Sequence, residues 1–197
     1  WVTLDTASSI SVPEDAWVDW DAKTQKFITA GEKFPEGLTS QTKTTVYYPA
    51  GMFDSVKWHD GSNLSAADFV MNMILVFDAS YTDSPIYDEA TVAGLEGYLA
   101  HFKGVRIVST DPLVIETYDD SFNIDAETIV SNNQVYPNAT WWPQYAYGEG
   151  AWHTLALGIL AESNNELAFS TDKAGAREVE WTSMISGPSL DILNKYL

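Results

Sequence analysis

The chain has 197 residues, with 28 acidic against 10 basic side chains, a net charge of −18, 45% apolar and 13% aromatic residues, and no cysteine. That apolar content excludes disorder, and a chain of this length can bury about 70% of its unfolded surface. No Lys or Arg cluster interrupts the negative charge, which excludes nucleic acid as a partner; the lack of cysteine removes disulfides, thiolate metal sites and cysteine nucleophiles.

In chain order, Ala16-Trp17-Val18-Asp19-Trp20 alternates apolar and acidic residues as a strand or short hairpin does, and the polar Asp21 to Gln25 reverses the chain. Ala30 to Ser40, with two Gly and one Pro, reads as a loop, and Thr44 to Tyr48 as a strand. Asp60-Gly61 then supplies a tight turn, because Gly accepts a positive φ that other residues resist. A helix follows from Ser65 to Asp78. Ser65 and Asp68 have the spacing of a capping box, Leu64 and Phe69 that of a hydrophobic staple. Phe69, Met73, Val76 and Phe77, with Val70 and Ile74, make its apolar stripe so wide that the helix should be nearly buried. The apolar run from Phe69 to Phe77 is broken by Asn72, and nothing approaches the ~18 residues that span a bilayer.

Ser80 to Tyr87 is turn-rich. Glu89 to Phe102 reads as a helix with Gly104 at its C-cap. Val105 to Ser109 and Leu113 to Tyr118 flank Thr110-Asp111-Pro112, which predicts an antiparallel hairpin. Asn123 to Ile129 holds one or two helical turns, and Ser131 to Gly150 is irregular and dense in aromatics. Ala151 to Ser163 places Trp152, Leu155, Ile159 and Leu160 on one helical face, Ser170 to Trp181 reads as a helix, and a last helix has Pro188 at its start. Its Leu190, Leu193 and Leu197 form a stripe with no evident partner. The fold class is α+β, with mixed or antiparallel strands in the first 120 residues and helices in the last 50.

The run Trp58-His59-Asp60-Gly61, a small polar residue, then Leu64-Ser65-Ala66-Ala67-Asp68 and an apolar helix resembles the recurring block of the family 5 extracellular solute-binding proteins. These are the oligopeptide-, dipeptide- and nickel-type receptors of bacterial and archaeal ABC importers. Thr44 to Pro49 is similar to the family's preceding strand, and Gly104 to Thr117 to its hairpin. The stretch Ala50 to Ser55 is longer than the family's usual connection and marks a divergent branch. The likeness runs from about Thr44 to Thr117.

The resemblance implies a two-lobed periplasmic-binding-protein-like fold of several hundred residues that encloses its ligand between lobes. Residues 1–197 would then be part of one lobe, strand-rich over 1–122 and mostly helical over 123–197. A start at Trp1 without an apolar leader reads as an excised piece. Trp58, His59, Asp60, Gly61, Ser65 and Asp68 would be scaffold. The residues that grip a peptide's charged ends lie largely in the other lobe in this family, so none is assigned here.

His59-Asp60 has the composition of a general-base dyad, yet neighbours on a turn seldom present their side chains to each other, and the structural reading is preferred. Asp119 to Glu127 has oxygens at alternate positions but lacks a Gly at the sixth position from Asp119 and places Val130 at the twelfth, so it fails as an EF-hand. His59, His101 and His153 are too scattered for a zinc site, and no phosphate loop, nucleophile elbow or cofactor motif occurs. The segment that looks most like a recognition surface is Asn132 to Gly148, where Tyr136, Trp141, Trp142, Tyr145 and Tyr147 are interleaved with amides for ligand or interlobe contact, although paired Trp in a loop beside Pro more often plugs a core edge.

The expected function is therefore the substrate-binding component of an ABC importer: extracytoplasmic, free of cofactor and metal, and not an enzyme. Its partners would be a small solute, of peptide type by the resemblance, and a membrane permease, with no direct membrane insertion. The alternatives are a secreted carbohydrate-binding protein, which needs an exposed aromatic platform, and an acidic hydrolase, which needs a carboxylate pair in a cleft.

Overall fold

The computed structural model describes residues 1–132, 151–183 and 187–197. In chain order the described elements are strands β1 (Val2–Ser11), β2 (Trp17–Asp21) and β3 (Lys26–Thr29), helix α1 (Ala30–Lys33), β4 (Thr39–Tyr47), α2 (Met52–Ser55), α3 (Ala66–Asp78) and α4 (Glu89–Leu99). The hairpin β5 (Phe102–Thr110) and β6 (Leu113–Asp119) follows, then α5 (Ala126–Asn132), α6 (Trp152–Ser163), β7 (Leu167–Ala168), α7 (Thr171–Arg177), β8 (Glu180–Trp181) and α8 (Gly187–Leu193). The chain divides into two compact units, unit 1 comprising Trp1–Ala66 with Ala93–Val135, and unit 2 Ala67–Val92 with Tyr136–Leu197.

Unit 1 is built on a six-stranded antiparallel sheet of order β1-β4-β6-β5-β2-β3. Its register explains which face is buried. Thr42 lies opposite Asp119, Thr44 opposite Thr117 and Val46 opposite Ile115. Directly opposed side chains share a face, so these six form one buried stripe. The residues between them face the other way and carry charge. Lys43 Nζ reaches Asp5 at 2.9 Å and Glu116 at 3.8 Å, Arg106 pairs with Asp15 at 3.0 Å, and the Tyr118 hydroxyl donates to Glu116 at 2.8 Å. Part of that second face is covered by Val12, Ala16, Val18 and Ala30, which pack on Tyr118. Gly104 sits beneath this cover. A Cβ there would lie 3.3 Å from Val12 Cγ1 and Val18 Cγ1, which is why the strand carries a glycine at that point.

In unit 2, α3 and α6 pack through Leu75, Ala79, Leu155 and Phe169 together with Ile86. A second cluster joins Ala161, Leu167 and Leu193. β7 and β8 form a parallel two-stranded pair. Glu162, at 1% exposure, ties these elements together: it accepts from the Phe169 backbone N–H and forms a buried ion pair with Lys173.

The mixed α+β class, the hairpin around Thr110-Asp111-Pro112 and the wholly unexposed α3 agree with the sequence. Other expectations are corrected. Within the stretch read as a loop, Ala30–Lys33 is a helical turn, closed by a Thr29/Glu32 capping box that the sequence also contains. β1 was not expected, because an edge strand rich in Ser and Thr shows no clear alternation. Gly104 is not a helix C-cap: α4 stops at Leu99 and Gly104 lies inside β5. The helix expected to Trp181 ends at Arg177, where Glu178 takes a left-handed conformation (φ 55°), and Glu180–Trp181 is strand. On α6, Trp152 and Leu160 are exposed while Leu155, Gly158 and Ala161 are buried, so the inward face is turned from the expected one. Of the three C-terminal leucines, Leu193 finds a partner in Ala161 and Leu167, while Leu190 and Leu197 stay exposed.

Candidate functional site

Three groups of residues carry chemistry that could serve a function. The first is the turn before α3. Trp58 N–H donates to Ser62 O at 2.9 Å, Gly61 N–H returns to Trp58 O at 3.0 Å, and Leu64 N–H reaches Val56 O at 3.0 Å. Asp60 Oδ1 accepts from the Ser62 amide at 2.8 Å and its hydroxyl at 2.6 Å. Gly61 has φ +86°, the conformation for which glycine was expected. His59 is exposed on this turn. No bond joins His59 to Asp60 among those described, and Asp60 Oδ1 is held by Ser62, so the turn is built as a corner of scaffold. Farther on, Asp68 is fully buried, and its Oδ1 accepts from the Trp152 N–H at 2.8 Å within unit 2.

The second group lies in unit 1, where α4 gives way to β5. His101 Nδ1 lies 2.6 Å from Asp119 Oδ2, and the Asp119 side chain is 1% exposed. Asp119 Oδ1 accepts from the Ser121 amide at 2.5 Å. Tyr98 presents its ring edge-on to His101, and burial, followed by the Asp119 charge, pushes its phenol far above the ordinary range. A buried carboxylate orienting an imidazole is half of a hydrolytic relay. Ser121 Oγ, two residues from Asp119, makes no hydrogen bond, so no imidazole–hydroxyl relay is assembled with it. The carboxylates of Asp119, Asp120 and Asp125 accept from protein donors. Asp120 Oδ1 takes the Gln41 amide at 2.8 Å, and Asp125 takes the Thr128 amide at 2.7 Å and hydroxyl at 2.9 Å. The Thr128 bonds hold the Asp125 carboxyl below its ordinary value. Among the described residues no group of three or more His, Asp or Glu could hold a metal ion.

The third group lines a groove of about 460 Å³ in unit 2, between Tyr87–Ala90 and the Asp172, Lys173, Ala176 and Arg177 side of α7. Asp88 caps α4: its Oδ1 accepts from the Ala90 N–H at 3.0 Å, and its own N–H donates to Ala79 O at 2.7 Å. Asp88 Oδ2 is buried without a hydrogen-bond partner. Lys173 on the opposite wall is held by Glu162, whose carboxyl burial pushes up while the Lys173 bond pulls it down.

The sequence-predicted residues are therefore scattered. Trp58, His59, Asp60, Gly61 and Ser65 lie in unit 1 and Asp68 in unit 2. His59 and His101 are in unit 1, and His153 in unit 2 stacks edge-on with Trp152. Tyr136, Trp141, Trp142, Tyr145 and Tyr147 lie outside the described residues. The sequence reading missed the His101–Asp119 pair, which is separated by 18 residues and made only by strand pairing, and Asp88, whose place before an apolar helix is an N-cap signal. Neither a protein-family model nor a curated protein matches this chain. The findings define the class of the fold, an α+β protein with a six-stranded antiparallel sheet and several helices. No helix among the described residues is long and apolar enough to cross a membrane.

Proposed function

We propose that this chain is part of one lobe of the substrate-binding component of an ABC importer, one that captures an oligopeptide or similar small solute outside the cytoplasm and passes it to a permease without chemistry. The observation that carries the reading is the Trp58–Ser62 corner. Its His59 faces solvent and its Asp60 is tied to Ser62, which suits a scaffold role and leaves the pair without the geometry of a base. The reading calls for a hairpin and a buried helix in this part of the chain, and β5 with β6 and the unexposed α3 supply elements of that kind. In this reading ligand would be held by contacts from two lobes, and closure would be stabilised by a solute touching both.

The test is calorimetric titration of the full-length gene product with tri- and tetrapeptides, followed by mass spectrometry of the recovered peptide. Saturable binding with intact peptide recovered supports the proposal. Hydrolysed peptide, or micromolar peptide binding by residues 1–197 alone, overturns it.

A further inference from the structure

We propose that His101 is a nucleophilic site that accepts small uncharged activated acyl groups, such as those of anhydrides and aryl esters, on its Nε2. His101, Tyr98, Phe102, Asp119 and Ser121 all lie in unit 1, so the inference does not depend on the solute-capture reading.

The imidazole is held at one edge and open at the other. Its Nδ1 lies 2.6 Å from Asp119 Oδ2, and Asp119 Oδ1 accepts from the Ser121 amide at 2.5 Å, so both carboxylate oxygens are fixed. An ionised carboxylate can only accept, which places the ring proton on Nδ1 and the lone pair on Nε2. The Asp119 side chain is 1% exposed and that of His101 39%. Among the described residues Nε2 has no hydrogen-bond partner, and it is not buried. The Tyr98 ring lies at 82° to the imidazole with centroids 5.7 Å apart, and itself stacks on Phe102, which braces the imidazole from one side.

In the reaction the Nε2 lone pair attacks the acyl carbon. The bond from that carbon to the leaving oxygen breaks, and the leaving group departs with its electron pair. The acylimidazolium so formed loses its Nδ1 proton to water and becomes a neutral acylimidazole, which water later hydrolyses to the free acid and the original imidazole. Positive charge grows on the ring as the new bond forms, and the buried Asp119 carboxylate answers it through a charge-assisted hydrogen bond. The imidazole is itself the nucleophile, so the missing relay to Ser121 Oγ is not needed. Charge favours an uncharged donor. Asp120, whose N–H donates to His101 O at 2.9 Å, brings a second carboxylate beside the ring, with Lys103 3.4 Å from it, and the chain as a whole carries −18.

Limiting diethyl pyrocarbonate at neutral pH, with peptide mapping by mass spectrometry over time, tests the proposal against an internal reference. His59 is exposed, but its neighbour Asp60 is tied to Ser62. His101 should be ethoxycarbonylated at least about tenfold faster than the more exposed His59. Imidazole nitrogen NMR should show the proton of His101 on Nδ1. Asp119→Asn should slow His101 to the rate of free N-acetylhistidine while leaving His59 unchanged, and the anionic donor acetyl phosphate should label His101 no faster than it labels N-acetylhistidine. Labelling of His59 as fast as His101, a proton on Nε2, or acetyl phosphate labelling that outpaces N-acetylhistidine overturns the proposal. The comparison of the two histidines within the parent chain decides whether or not Asp119→Asn folds.

Discussion

Asp68, on the first turn of α3, accepts a hydrogen bond from the backbone N–H of Trp152, the first residue of α6, at 2.8 Å across 84 residues of sequence. The Ala151 N-cap of α6 offers no side-chain acceptor, so Asp68 serves one of the helix's orphan amides from another element. Asp68→Ala should cost about 1–3 kcal/mol, with Asp68→Asn losing less because its amide oxygen still accepts. Urea unfolding measures both. An Asp68→Ala variant as stable as the parent would show that the bond contributes nothing.

Glu162 and Lys173 form a buried pair, so removing one partner leaves an uncompensated charge. Lys173→Met should cost about 3–5 kcal/mol, and the double variant Glu162→Met with Lys173→Met should recover most of that loss. Unfolding of the parent, the single and the double variant forms the cycle that decides.

The same carboxyl sets a pH dependence of unusual sign. Burial is the largest influence on Glu162 and raises its pKa above the ordinary 4.5. The native state then binds more protons than the unfolded state between those two values, so this group's contribution is full below pH 4.5 and is lost as pH rises through the raised pKa. Relative to Glu162→Gln, the parent should lose stability as pH climbs above 4.5. A relative gain over that window would contradict the assignment.

Two glycines should respond oppositely to alanine. At Gly158 a Cβ would lie 2.8 Å from the Phe169 ring, so Gly158→Ala must displace a buried side chain, at about 1–3 kcal/mol. Gly175, inside α7, has nothing within 4 Å of its would-be Cβ, and Gly175→Ala should stabilise by about 0.5–1 kcal/mol. Thermal melts of the two variants should shift in opposite directions.

His59→Ala should change stability by less than about 0.5 kcal/mol, because the ring is exposed and the turn is held by its neighbours. Asp60→Ala removes both bonds to Ser62 and should cost about 1 kcal/mol. If His59→Ala abolished a measured activity while Asp60→Ala did not, the corner would be more than scaffold.

Local chemistry in the sequence was enough to place the Asp60-Gly61 turn, the stop at Asp78, the hairpin around Asp111-Pro112 and the start of α6, because each depends on residues within a few positions of one another. Tertiary structure alone decided the rest. Sheet pairing brought His101 to Asp119 and placed Gly104 beneath Val12 and Val18, while helix packing turned Leu155 inward and covered Leu193. The capping oxygen of α6 comes from Asp68, 84 residues away, and the unmet oxygen of Asp88 is visible only once its surroundings exist. A turn or a cap is settled by backbone geometry over a few residues. Burial and polar partnership depend on which distant segments the folded chain brings together, and no short window of sequence contains them.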